Sequence, residues 1–136
     1  SYTAVGDAVN LAARLEALTR ETGVGLLVAD STCEAARPSL PGCLWLEVDQ
    51  CHVRGRRQAV TVFTPLVPQE ALVDSIRAQV HTWHLALTAA RQQHVDMALE
   101  HLEGLRHLTS LHPDAIIPGL DRLVERLRSR LSRSPS

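Results

Sequence analysis

The sequence predicts an α+β chain: a strand-containing first half followed by a small antiparallel helical unit. Three observations lead there. The run Leu44-Trp-Leu-Glu-Val-Asp-Gln-Cys-His-Val53 alternates as a strand does, and Ala59-Val-Thr-Val-Phe-Thr64 returns after a Gly55-Arg56-Arg57 turn. From Gln69 the apolar period lengthens to that of a helix, with Leu72, Ile76, Val80, Trp83, Leu87 and Ala90 on one stripe. Near the start, Ala8, Leu11, Leu15 and Leu18 recur at steps of three or four, which marks another helix.

Taken in order, Tyr2 to Val5 reads as the end of a strand and Gly6 as a tight turn. Asp7 opens the first helix, its carboxylate placed to accept orphan N–H groups of the first turn. Gly23 suits the left-handed position that closes that helix. Val24 to Ala29 is a short apolar run of buried-strand type. Asp30 or Ser31 caps a brief helix, with Glu34 as capping-box partner to Ser31, and that helix ends before Pro38. Pro38-Ser-Leu-Pro-Gly42 is a loop, and the hairpin follows, ending at Pro65 and Pro68.

The helical part continues through a Gln92-Gln93-His94 connection into a second helix with Val95, Ala98, Leu99, Leu102, Leu105 and Leu108 inward. His112-Pro113-Asp114 breaks the chain. Asp114 is expected to cap a third helix with Pro118 in its first turn, carrying Ile117, Leu120, Val124, Leu127 and Leu131. The expected division is residues 1–67, residues 68–132, and a disordered end at 133–136.

Composition narrows the classes of partner. The 136 residues carry a formal net charge of −1, which gives no general attraction to nucleic acid or acidic membranes. No run approaches a membrane span and no signal peptide is present, so this segment is expected to make no membrane contact; a parent protein with its own membrane segment remains compatible. Cys33, Cys43 and Cys51 form no CxxC pair, and reduced, mostly buried thiols in a cytoplasmic setting are expected. Six of the seven histidines lie between His81 and His112, but no carboxylate or cysteine completes a recognised ligand spacing. Solvated helix positions are the better reading, and no metal site is expected in this chain.

The chemistry concentrates at the start. Asn10 and Arg14 stand i,i+4, so an amide and a guanidinium project from one flank of the helix, a pairing suited to an anionic group. The run Tyr2-Thr-Ala-Val-Gly-Asp-Ala-Val-Asn-Leu-Ala-Ala-Arg-Leu-Glu16 resembles the signature near the C-terminal end of class III nucleotidyl cyclase catalytic domains. An ordinary amphipathic helix explains the leucines but not the Asn/Arg pair. The order of elements up to about Val67 is similar to the second half of that domain. The resemblance therefore implies a partial ferredoxin-like cyclase fold.

It also implies roles. Asn10 orients the ribose and Arg14 stabilises the α-phosphate in the transition state, with a surface ion pair as the rival for Arg14. Thr3 falls where the family reads the purine, and a hydroxyl there is similar to bacterial-type adenylate cyclases; a strand threonine satisfied by its own sheet is the rival. Arg54, in Val53-Arg-Gly-Arg56, stands where the family has a lysine on the terminal phosphates, with a solvated turn as the rival. The family's metal-binding aspartates and base-reading lysine lie upstream of the motif. Mg or Mn ions are thus expected on residues outside this chain, which supplies the Asn/Arg half of a site shared with a second cyclase domain in a homodimer.

The resemblance makes the chain a fragment of an adenylate cyclase acting on ATP in intracellular signalling, inactive by itself. Two alternatives stand beside it: a guanylate cyclase, or a non-catalytic helical interaction and dimerisation module. For the latter, the Ala86, Ala98, Leu102 and Pro113 spacing resembles a single tetratricopeptide-type repeat plus one helix, which must pack on the cyclase part or on a protein partner.

Overall fold

In a computed structural model the chain divides into two units, Ser1–Leu66 and Val67–Ser136. The structure describes residues 2–52 and 57–133, with residues 2–11 described in backbone alone. The described residues are α+β, with a small antiparallel sheet in the first unit and helices in both.

The first unit opens on α1 (Tyr2–Thr22). The expected strand end at Tyr2–Val5 and turn at Gly6 are replaced by uninterrupted helix, which makes Asp7 an interior residue rather than a cap. The alanines at 4, 8, 12 and 13 and the leucines at 11 and 15 are strong helix formers. Together they outweigh the roughly 1 kcal/mol cost of one interior glycine. A strand at 2–5 also needs a neighbour, and the described strands pair only with one another.

The C-terminal end of α1 forms as the sequence predicts. Gly23 adopts φ 73° and its N–H bonds to Thr19 O at 2.9 Å. Thr22, fully buried, donates from Oγ1 to Leu18 O at 2.6 Å and accepts from the Val24 N–H at 3.3 Å.

Only Val28–Ala29 of the expected apolar strand is hydrogen-bonded as β1; it is antiparallel to Val62 and Phe63 of β3 (Val60–Leu66). The third strand, β2 (Leu44–Cys51), is also antiparallel to β3, giving the order β1-β3-β2. A bulge at Val48 breaks the register between Glu47 and Asp49. The inserted residue brings Cys51 to the same face as Leu46, although a step of five puts the two on opposite faces under plain alternation. Leu18 of α1 packs there against Cys51 and Val62, with Leu15 and Leu27 at the margin.

Pro65 lies within β3, opposite Trp45, rather than ending the strand. Proline is tolerated because β1 reaches only Val62 and Phe63, so at Pro65 the β1 side of β3 has no strand to bond.

Between the strands, α2 (Asp30–Ala36) has Ala29 at its N-cap with no side-chain cap bond, so neither Asp30 nor Ser31 caps it. No capping box forms at Ser31: Asp30 Oδ1 accepts the Ser31 N–H at 2.8 Å, and Glu34 pairs with Arg37 at 3.2 Å. Asp30 Oδ2 also accepts the Thr61 N–H at 3.4 Å, tying α2 to β3. Pro38 falls in a single 3-10 turn after α2, and the Arg37 guanidinium lies 6.0 Å from the centre of the Trp45 ring.

The second unit contains α3 (Val73–Arg91), α4 (Val95–Leu111) and α5 (Leu120–Arg133). Ile76, Val80, Trp83 and Leu87 of α3 and Ala98, Leu102 and Leu105 of α4 are buried, as their spacing predicts. The turn between these helices has Gln93 at φ 62°, with bonds from Gln93 N to Ala90 O (3.0 Å) and His94 N to Ala89 O (2.9 Å). This is a Schellman closure with glutamine where glycine is usual.

The third helix starts later than expected, so Asp114 is not its cap. Pro118 biases Ile117 away from helical backbone, and Gly119 takes φ 82° before the Gly119 carbonyl receives the Leu123 N–H. From there Leu120, Leu123, Leu127 and Leu131 are buried.

Candidate functional site

Three of the four sequence-predicted site residues, Thr3, Asn10 and Arg14, are positions of α1. Helical register carries positions 3, 10 and 14 along one stripe, since steps of seven and four return close to the same direction. Asn10 and Arg14 are neighbours about 6 Å apart along the axis, whereas position 3 is about 10 Å before Asn10. The backbone therefore brings Asn10 and Arg14 together and sets Thr3 apart, at a different place from the strand end that the sequence suggested. Arg14 is exposed to solvent. Arg54 lies outside the described residues.

α1 is held by the apolar side next to this stripe, through Leu15 and Leu18 on the sheet. Helical register sets an amide and a guanidinium one turn apart on a helix whose later turns rest on the sheet. Arg contributes a fixed fork and a permanent charge; Asn contributes an amide that donates and accepts. Such a pair can orient a hydroxyl and stabilise charge on a phosphoryl group.

The buried Cys33 thiol has its pKa pushed up by burial, with the Arg37 guanidinium acting in the opposite direction. All three cysteines are free thiols, with Cys33 and Cys51 buried. Among the described residues no group of three or more His, Cys, Asp and Glu side chains is placed to hold a metal ion. No described helix is long and apolar enough to cross a membrane.

Sequence reasoning missed two features of the helical unit. Gln79, nearly fully buried, donates from Nε2 to Ala115 O at 2.8 Å and to Ser75 Oγ at 3.4 Å. Its signal was a lone amide one residue before Val80, inside the apolar stripe. The second is an open groove of about 980 Å³ lined by α4, the 112–119 loop and α5, with six arginines in its walls. Its signal was the four-residue recurrence of arginine from Arg122 onward.

No family model matches the chain, and no solved structure matches it. Over 82 residues, 60% of its length, the chain is 30% identical to "Adenylate cyclase, terminal-differentiation specific" of Dictyostelium discoideum. The chain spans 4% of the length of that protein. This partial similarity supports a relationship to adenylate cyclases, in keeping with the motif that begins at Tyr2.

Proposed function

We propose that residues 1–67 are the C-terminal half of a class III adenylate cyclase catalytic domain, ferredoxin-like when complete, and that residues 68–132 are its helical tail. The observation that carries this reading is the Asn10/Arg14 pair inside the cyclase-like run from Tyr2 to Glu16. Similarity to part of an adenylate cyclase supports it.

In this reading the ribose 3′-oxygen of ATP attacks the α-phosphorus in line, the bond to the β-phosphate bridging oxygen breaks, and pyrophosphate leaves as cyclic AMP forms. Asn10 holds the ribose so that the 3′-oxygen faces phosphorus. Arg14 donates to the α-phosphate oxygens, whose charge grows in the transition state. Thr3 is assigned to the purine and Arg54 to the terminal phosphates by motif position. Magnesium or manganese ions, held by residues of a second cyclase domain in a homodimer, would supply further charge neutralisation on the phosphates.

The test is Arg14→Ala in a protein that carries this chain together with the metal-bearing half. Loss of one such donor raises the barrier by about 3 kcal/mol, so cyclic AMP formation drops about a hundredfold or more while dimerisation is retained. Unchanged activity refutes the role of Arg14. Offering GTP in place of ATP decides between adenylate and guanylate specificity.

A further inference from the structure

The helical unit contains eight arginines and eight carboxylates between Val67 and Ser136, so it has no overall charge to attract a polyanion. Its charges are nonetheless segregated: five of those eight arginines are on α5. Arg122, Arg126, Arg130 and Arg133 stand at i, i+4, i+8 and i+11, which makes a continuous ridge about 16 Å long beside the buried Leu123 and Leu127. All four line the groove of about 980 Å³. With Arg106 and Arg128, the walls hold six arginines against two carboxylates, Asp121 and Glu125.

Part of that charge is balanced internally. Glu125 lies 3.9 Å from Arg128, and Arg106 is paired with Glu103. Arg126 and Arg130 also interact within the chain, whereas among the described residues Arg122 and Arg133 take part in no ion pair. They stand at the two ends of the ridge. The groove also has an apolar margin, where Ile116 is 74% exposed beside buried Ile117 and half-buried Val124. At its wall, Gln79 is 99% buried, and its Oε1 is a buried acceptor with no hydrogen-bond partner among the described residues. An acceptor so placed is costly unless a donor arrives.

We propose that this groove docks an acidic amphipathic helix of another polypeptide. A row of carboxylates spaced one helical turn apart matches the arginine ridge in both spacing and length. Apolar side chains on the adjoining face of such a helix cover Ile116, and a polar side chain at the same end donates to Gln79 Oε1. A small anion engages one or two guanidiniums and leaves the rest of the ridge and Ile116 unused. A lipid surface is a poor match, because the leucine face of α5 is already buried within its own unit and is not free to insert.

Fluorescence anisotropy on the full chain tests this. The probe is a fluorescein-labelled peptide of about four helical turns, with Glu at i, i+4, i+8 and i+11 and Leu on the adjoining face. The comparison peptide has Lys at the same four positions. The Glu peptide is expected to bind saturably, and more weakly as added salt shortens the screening length to about 10 Å at 0.1 M. The Arg122→Glu/Arg133→Glu variant is expected to bind it about tenfold or more weakly with an unchanged thermal melt, since both side chains are exposed. Ile116→Ser is expected to weaken binding several-fold without changing the salt dependence. Absence of saturable binding at low salt, equal binding of the Lys peptide, or undiminished binding by the charge-reversed variant overturns the proposal. Binding of phosphatidylserine vesicles without binding of the peptide also overturns it.

Discussion

The strand-bearing unit and the helical unit organise their residues differently. In the first, a helix lies on one face of a three-stranded sheet, with Leu18 against Cys51 and Val62. The sheet needs a bulge at Val48 to bring Cys51 into that contact. In the second, three helices bury long side chains from successive turns, with Trp83, Leu102, Leu105 and Leu123 almost wholly enclosed. Yet the pair singled out by motif, Asn10 and Arg14, belongs to the strand-bearing unit and not to the helical one. Packing and chemistry are separate demands on a sequence: a core residue is explained by what it packs against, whereas a polar pair that packing does not explain is a candidate for function.

The contrast can be broken by substitution. Trp83→Ala in the helical core is expected to have the largest effect, about 3–5 kcal/mol of stability. Val62→Ala under α1 removes two methyl groups and is expected to cost less, about 1.5–3 kcal/mol. Urea denaturation followed by far-UV circular dichroism ranks the two, and a larger loss at Val62 reverses the comparison. Next comes Gln79→Ala, which frees the Ala115 carbonyl and is expected to cost about 1–3 kcal/mol by the same measurement.

A smaller effect has the opposite sign. Gln93 holds φ 62° in the turn after α3, a conformation that costs an L-residue about 1–2 kcal/mol relative to glycine. Gln93→Gly is therefore expected to stabilise the protein by about 1 kcal/mol, visible as a raised urea midpoint with unchanged slope. The smallest change leaves stability alone. Thiol labelling at pH 8 is expected to reach half-buried Cys43 first. Cys33 stays protonated to higher pH because burial raises its pKa, and it is enclosed besides. Cys33 reacting as fast as Cys43 contradicts that enclosure.

Local signals with a single physical solution were legible in the sequence. Gly23 closes α1, the alternation of 44–51 makes a strand, and the stripes of α3 and α4 are buried where their spacing puts them. Signals that depend on distant partners were not. Gly6 reads as a turn only if a strand precedes it; without a pairing neighbour the surrounding alanines extend the helix. Asp114 is a good cap in isolation, but Pro118 and Gly119 move the start of α5 to Leu120. Pro65 stays in its strand only because β1 is too short to reach it.

The site divides in the same way. The i,i+4 relation of Asn10 and Arg14 follows from helical register alone and survives the change at Gly6. The place of Thr3 depended on the strand and did not survive. Gln79 and the arginine ridge of α5 acquire meaning only once the 112–119 loop is placed beside them.

The central claim is that Arg14 acts on phosphate while its helix merely presents it. Arg20 supplies the internal comparison: the same residue type, on the same helix, also exposed, and four positions beyond the end of the motif at Glu16. The decisive measurement is the rate of cyclic AMP formation by Arg14→Ala and Arg20→Ala, side by side, in a protein that joins this chain to a metal-bearing cyclase half. The account predicts a loss of about a hundredfold or more for Arg14→Ala and wild-type activity for Arg20→Ala. Equal rates for the two variants contradict it.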